Sequence, residues 1–164
     1  PSPGLRTGPL MRVFLLCGVV FAGCFLLGIL RLEPWIGFPL AGAIACSFLR
    51  KVMPSVFGVT ACVAVGELAF GLAPGAWALG AGLSTLVLRQ LMRQGPPDWT
   101  DCLVACLPLT IFGLLTSFVM SFLSAIPPTL PSLLSATSFL VSGVLLSRPV
   151  AFYVLGEDAQ RSWS

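Results

Sequence analysis

Six apolar runs account for most of this chain, and they constrain what it can fold into. A spanning helix needs about 20 apolar residues, and lipid forbids unpaired backbone groups along it. Only 9 % of the 164 residues are charged, against about 25 % in soluble domains. The sequence therefore predicts an all-α polytopic membrane protein with a bundle of six transmembrane helices. The runs are residues 13–30, 35–49, 52–72, 73–88, 102–126 and 132–146, the last one extending to 155 if it passes Pro149.

The chain divides into three segments by composition. Residues 1–10 are rich in Pro and Gly and precede Met11, so we interpret them as a leader or as a segment added for expression. Residues 11–155 form the predicted six-helix transmembrane domain. Residues 156–164 are polar and are predicted to be a cytoplasmic tail.

The distribution of Lys and Arg predicts the orientation in the membrane. If all six runs cross, Arg31 is alone on one side, and the other eight of the nine basic residues share the opposite side. The positive-inside rule then places both termini in the cytoplasm. The second run is short and contains Gly37 and Pro39, so it could be tilted, broken or re-entrant. Without a second crossing the nine basic residues would divide seven to two instead of eight to one, a weaker asymmetry, so we expect that this run does cross.

The residue types argue against most site chemistry. The chain has no histidine, and its six cysteines form no C-x-x-C pair, so we expect no metal and no cofactor. No paired intramembrane carboxylates or nucleophile motif are present, so we expect no catalytic residues and no enzymatic activity. The basic residues are scattered at helix ends and form no nucleic-acid-binding face.

Glu67 is the one acidic residue deep inside an apolar run. An ionisable group within a membrane is costly and is a functional hypothesis by default. Three interpretations stay open for it. It could be structural or interfacial, it could hold a coupling proton or cation in a transporter, or it could contact a partner protein.

Two runs carry small residues at helical spacing, which lets helix backbones approach closely in lipid. One interpretation is a contact between the third and fourth helices of this chain. The other is a docking face for the transmembrane helix of a partner. The two stripes are Gly58, Cys62 and Gly66 in the third run, and Ala76, Gly80 and Ser84 in the fourth.

Two segments resemble the bacterial rod-shape-determining MreD family. Residues 58–79, GVTACVAVGELAFGLAPGAWAL, resemble the family's glycine-rich third span, its acidic residue and its Gly/Pro turn into the fourth span. Residues 130–136, LPSLLSA, look like the opening of the family's last span. The chain length, the six spans and the cytoplasmic termini are also similar to the family.

The resemblance implies a non-enzymatic scaffold subunit of the cell-elongation complex, which determines rod shape through peptidoglycan synthesis. It would lie in the bacterial inner membrane, in contact with lipid, and bind the single-span, coiled-coil periplasmic protein MreC and cell-wall synthases. Its oligomeric state stays open. The residues that would serve partner contact and helix packing are Gly58, Gly66, Glu67, Gly71, Pro74, Gly75, Gly80 and Ser84.

Two other functions stay open. The family is similar in fold to the substrate-binding subunits of energy-coupling-factor vitamin transporters, so the chain could be the small-solute-binding subunit of a transporter. It could also be an accessory subunit of a bioenergetic membrane complex. The short predicted outer connections and their few polar groups count against the transporter function.

Overall fold

The computed structural model describes residues 8–30, 37–69, 75–91, 98–124 and 133–155, and six α-helices make up most of these ranges. No strand occurs in these ranges, so the predicted all-helical class is confirmed. Most of the predicted leader and the whole of the predicted tail lie outside them. The helices are α1 (Pro9–Ile29), α2 (Phe38–Ser47), α3 (Val52–Ala69), α4 (Ala76–Leu91), α5 (Trp99–Ser124) and α6 (Leu133–Leu155).

Four of the helices, α1, α3, α5 and α6, are long and apolar enough to cross a membrane. The sixth predicted run continues through Pro149 as one helix and ends at Leu155. The other two helices are shorter, with 10 residues in α2 and 16 in α4. The chain is thus an apolar helical bundle of the kind found in integral membrane proteins.

The short helix α2 is the centre of the bundle. All of its residues from Pro39 to Ser47 are buried, and it packs on α1, α3 and α6. At about 1.5 Å per residue it is about 15 Å long, half the thickness of a bilayer's hydrocarbon core. A helix this short keeps its unpaired end groups away from lipid because other helices surround it.

Close contacts fix the direction of α2 relative to its neighbours. A Cβ on Gly66 of α3 would meet Pro39, whereas a Cβ on Gly58 would meet Cys46, so α2 and α3 are antiparallel. Gly23 and Val20 of α1 meet Phe38 and Gly42 of α2, which makes this pair antiparallel too. The helix α6 runs parallel to α2, because Gly37 and Leu40 meet successive positions along it.

The remaining helices form the flanks of the bundle. The helix α4 packs between α3 and α5, and α6 packs mainly on α2. The contact between α5 and α6 is more limited and includes Arg148, which lies over the ring of Trp99. Both helices contain an internal proline, Pro108 in α5 and Pro149 in α6, and both continue past it.

Side-chain size is distributed as membrane proteins require. The interior is built largely from small residues, including Ala43, Ala45, Cys62 and Ala105, which are fully buried. Large apolar side chains point outward, and Phe122 of α5 is 83 % exposed. Because lipid tails solvate such side chains, close backbone packing rather than apolar burial holds the helices together.

The five basic residues within the described ranges lie at one end of the bundle, which we call the basic end. At this end the last turn of α4 meets the α2–α3 turn. The same end includes the start of α1, the start of α5 and the last turns of α6. The opposite end carries Gly37, Glu67 and Gly75. The basic residues are Arg12, Arg50, Lys51, Arg89 and Arg148.

Candidate functional site

The predicted site residues of α3 pack against α2. A Cβ on Gly58 would lie 2.7 Å from the Cys46 sulfur, and a Cβ on Gly66 would lie 2.6 Å from Pro39. Real Cβ atoms do not approach other atoms this closely, so both glycines allow a backbone contact that alanine would block. Cys62, between them, lies 2.9 Å from the Cβ position of Gly42.

The predicted site residues of α4 face a different helix. A Cβ on Gly80 would collide with the Thr116 hydroxyl and with the backbone of Phe112, both on α5. Ser84 is fully buried, and its hydroxyl donates a hydrogen bond of 2.7 Å to the carbonyl of Ala81 within its own helix.

The predicted contact between the third and fourth helices is present, but the small residues Gly58, Gly66 and Gly80 that suggested it pack on other helices. The α3 stripe packs on α2 and Gly80 packs on α5, whereas α3 and α4 meet elsewhere, for example where Gly82 approaches Thr60. Gly58, Gly66 and Gly80 are also not available as a docking face for the transmembrane helix of a partner, because all three are buried within the chain. Helical spacing identified the close-packing residues but could not identify their partners.

Glu67 connects α3 to the start of α4. Its side chain is only 3 % exposed. One carboxylate oxygen, Oε2, accepts a hydrogen bond of 2.7 Å from the backbone N–H of Gly75. The other, Oε1, accepts one of 2.6 Å from the backbone N–H of Trp77. Both oxygens of this carboxylate are thus bound to the first turn of α4.

The physical reason for this arrangement is the unpaired N-terminus of α4. The first N–H groups of a helix have no partner within it, and its dipole places partial positive charge there. In lipid no water can satisfy these groups. The Glu67 carboxylate supplies two acceptors and a negative charge, so each group offsets the cost of burying the other.

The backbone at Gly75 suits this turn. Its φ of 123° lies in a region that side-chain-bearing residues rarely adopt. This conformation lets the chain enter α4 with its N–H directed at Glu67. The remaining two predicted site residues, Gly71 and Pro74, lie outside the described residues.

Trp77 extends the same junction to α5. Its ring lies against Gly113, where a Cβ would overlap the indole. Glu67 thus holds the backbone of a residue whose side chain packs on the next helix. Gly113 is not among the predicted site residues, although an isolated glycine inside a long apolar run is a signal of close packing.

The cysteines of α1, α2 and α3 lie together in the core. The sulfurs of Cys17 and Cys62 are 3.9 Å apart, and Cys46 borders Cys62 on its other side. All six cysteines are free thiols, and five of them are buried. Within the described ranges, no group of three or more His, Cys, Asp or Glu residues is arranged to hold a metal ion. The sulfurs of Cys46 and Cys62 belong to the packed core of the bundle, and Cys17 packs against it.

A second junction, at the basic end, was missed because the sequence analysis treated its arginine only as a topology signal. The guanidinium of Arg89, in the last turn of α4, donates hydrogen bonds to the carbonyls of Leu49 and Arg50. These carbonyls belong to the turn between α2 and α3, where the helical hydrogen bonding ends. Arg89 and Glu67 thus fasten opposite ends of α4 to neighbouring elements.

Comparison with known proteins gives no match for this chain, either to a protein-family model, to a curated protein or to a solved structure.

Proposed function

We propose that this chain is a non-enzymatic scaffold subunit of the bacterial inner membrane. In this proposal it is a six-span protein with both termini in the cytoplasm. It acts as MreD-like proteins do, binding a single-span periplasmic coiled-coil partner, MreC, together with cell-wall synthases in the cell-elongation complex.

The observation that supports the scaffold function is that both carboxylate oxygens of Glu67 bind the backbone at the start of α4. A carboxylate that couples transport must exchange protons or ions during a cycle. Both oxygens of Glu67 instead accept hydrogen bonds from the backbone of α4, at 2.7 and 2.6 Å. A residue committed to holding two helices together supports a structural function more than transport.

The segment that resembles the MreD family has the same character throughout its described part. Gly66 permits the close approach to Pro39, Glu67 binds the start of α4, and Gly75 forms the turn between them. Each residue serves packing. This pattern supports a rigid membrane platform for partner proteins over a substrate-binding subunit.

The direction of the helices supports six spans. The helix α2 runs back toward the basic end, antiparallel to α1 and α3, and this direction supports a second crossing by the short helix. Because the basic end carries Arg50 and Lys51, both exposed, the positive-inside rule puts it in the cytoplasm.

A pull-down from mild detergent tests the function. The tagged full-length chain is purified from its native membrane, and co-purifying proteins are identified by mass spectrometry, with an unrelated tagged six-span protein as control. We expect a single-span coiled-coil protein and cell-wall synthases. Recovery of a pair of ATPases with a coupling membrane subunit would replace the scaffold with the vitamin-transporter function. Subunits carrying haem or pigment would indicate a bioenergetic complex.

A further inference from the structure

We propose that Arg148 binds the phosphate group of an anionic phospholipid, at a site between α5 and α6 at the basic end. This proposal goes beyond the scaffold function and does not depend on it. Three features carry it: a partly buried arginine with an unpaired donor, its place between aromatic rings, and the apolar surface next to it.

The first feature is the environment of the guanidinium. Arg148 lies within the apolar helix α6, two turns before that helix ends at Leu155. Its Nε is buried and has no hydrogen-bond partner among the described residues. A buried donor on a charged group that lacks an acceptor is costly. A phosphate held by the terminal NH₂ groups of the same guanidinium would offset this cost with its negative charge.

Two acidic residues, Asp98 and Asp101, lie at the start of α5. One carboxylate oxygen of Asp101 accepts a hydrogen bond of 3.1 Å from the backbone N–H of Asp98. Asp98 immediately precedes Trp99, the first residue of α5. This bond serves the first turn of the helix, and neither carboxylate bonds to the Arg148 Nε.

The second feature is the pair of aromatic rings. The guanidinium carbon of Arg148 lies 5.1 Å from the centre of the Trp99 ring and 5.9 Å from that of Phe152. Tryptophan concentrates at the depth of lipid headgroups. Stacking on the rings orients the planar guanidinium. Its two terminal NH₂ groups, which are not buried as Nε is, can donate two parallel hydrogen bonds to a phosphate.

The third feature is the apolar surface leading away from Arg148. Leu103, one turn beyond Trp99 on α5, and Leu145, one turn before Arg148 on α6, are both exposed. The two helices make only limited contact with each other, since α5 packs on α4 and α6 on α2. A headgroup at Arg148 would place its acyl chains along this surface, which fits a phospholipid better than a free phosphate.

The choice of an anionic lipid follows from charge. Arg148 belongs to the basic end, where the described residues include Arg12, Arg50, Lys51 and Arg89 as well. Anionic lipids bind basic sites between transmembrane helices on the cytoplasmic side. A zwitterionic lipid offers the same phosphate but adds a cation that this end of the bundle repels.

Native mass spectrometry of the full-length protein tests the proposal. Phosphatidylglycerol or phosphatidylcholine is added to the protein in detergent, and the fraction that retains one lipid is measured. We expect about tenfold preference for phosphatidylglycerol in the wild type, and about tenfold weaker retention of it in Arg148→Gln, the scale of one charge-assisted hydrogen bond. Arg50→Gln removes an exposed charge from the same end and is the matched control, so it should retain most of the preference.

Two outcomes with the wild type and the single variants would overturn the proposal, and a third comes from a variant of the tail. One is equal retention of the two lipids by the wild type, a result that does not depend on any variant folding. The other is equal loss of retention in Arg50→Gln and Arg148→Gln, which would indicate general attraction to the basic end. The double variant Glu157→Gln/Asp158→Asn tests the chain's own tail as the occupant. If only this variant binds phosphatidylglycerol, the tail carboxylates occupy the site and the lipid proposal is wrong.

Discussion

Glu67 Oε1 accepts a hydrogen bond of 2.6 Å from the backbone N–H of Trp77, ten residues later in the chain. The indole of Trp77 packs against Gly113, so this one bond couples the end of α3 to α4 and α5 together. A charged residue in an apolar run would ordinarily suggest chemistry. Here the carboxylate caps the N-terminus of α4 by accepting hydrogen bonds from two backbone N–H groups that water could satisfy in a soluble protein.

The Glu67 junction predicts a loss of stability without a loss of membrane insertion. In Glu67→Gln, the single amide oxygen can still accept one of the two hydrogen bonds. The amide NH₂ then faces the other backbone N–H, and two donors cannot bond to each other. A buried donor left without an acceptor costs about 1–3 kcal/mol. We expect the free energy of unfolding in mixed detergent micelles to fall by about that amount, while the yield of inserted protein stays unchanged.

Asp101→Asn makes the same chemical change where the Asp98–Asp101 bond is solvent-exposed. Helix-end charges at exposed positions contribute about 0.3–1 kcal/mol, so this control should lose less stability than Glu67→Gln. Equal stability of Glu67→Gln and the wild type would show that the carboxylate charge is not needed to hold α4.

The close contact between α2 and α3 predicts that one added methyl group lowers the stability of the protein strongly. In Gly66→Ala the new Cβ would lie 2.6 Å from Pro39, a residue of the buried helix α2 that cannot move away freely. Overpacking of this kind typically costs about 1–3 kcal/mol. The unfolding midpoint in detergent should fall accordingly.

Gly18→Ala is the matched control for this substitution. Gly18 is an exposed glycine of α1, and a Cβ there would meet nothing within 4 Å. Alanine favours a helix by up to about 1 kcal/mol over glycine, so this variant should be as stable as the wild type or more stable. If both variants behaved alike, the close approach of α2 and α3 would not limit stability.

The hydrogen bonds of Arg89 predict a loss of local stability at the basic end when this residue is replaced. Arg89→Gln removes the charged donor that bonds the carbonyls of Leu49 and Arg50. Hydrogen bonds from charged groups contribute about 1.5–3 kcal/mol each. Because both bonds close the α2–α3 turn, backbone amides around residues 49–55 should exchange hydrogen faster in the variant. Arg50→Gln should leave that exchange rate unchanged, since the Arg50 side chain is exposed and only its carbonyl is used.

The sequence predicted the helices better than it predicted their arrangement. Long runs of apolar residues indicate segments that contact lipid or the protein core, and runs of this length are typical of helices, so the all-helical class follows from them. Which helices pair does not follow, because lipid provides no apolar driving force and pairing depends on close fits. The stripe at Gly58, Cys62 and Gly66 was visible, but nothing in its spacing could distinguish α2 from α4.

The roles of the charged residues were accessible only in part. The sequence singled out Glu67 and left three interpretations open, since its acceptors could be filled by a proton, a partner or the backbone. The backbone groups of Gly75 and Trp77 carry no side-chain signature, so the sequence could not identify them. Arg89 was overlooked for a similar reason, because its partners are main-chain carbonyls.

The proposed six-span topology predicts opposite accessibility for two exposed positions. Lys51 lies in the α2–α3 turn at the basic end, and Ser124 is the last residue of α5 at the opposite end. Lys51→Cys should react with a membrane-impermeant maleimide only from the cytoplasmic side, and Ser124→Cys only from the outer side. The native thiols give little background, because five are buried and Cys17 lies within an apolar helix. Labelling of both positions from one side would mean that one of the three helices between them, α3, α4 or α5, does not cross, and the six-span count would have to be abandoned. Labelling of Lys51→Cys only from outside and of Ser124→Cys only from the cytoplasm would mean that the basic end lies outside, which contradicts the proposed topology.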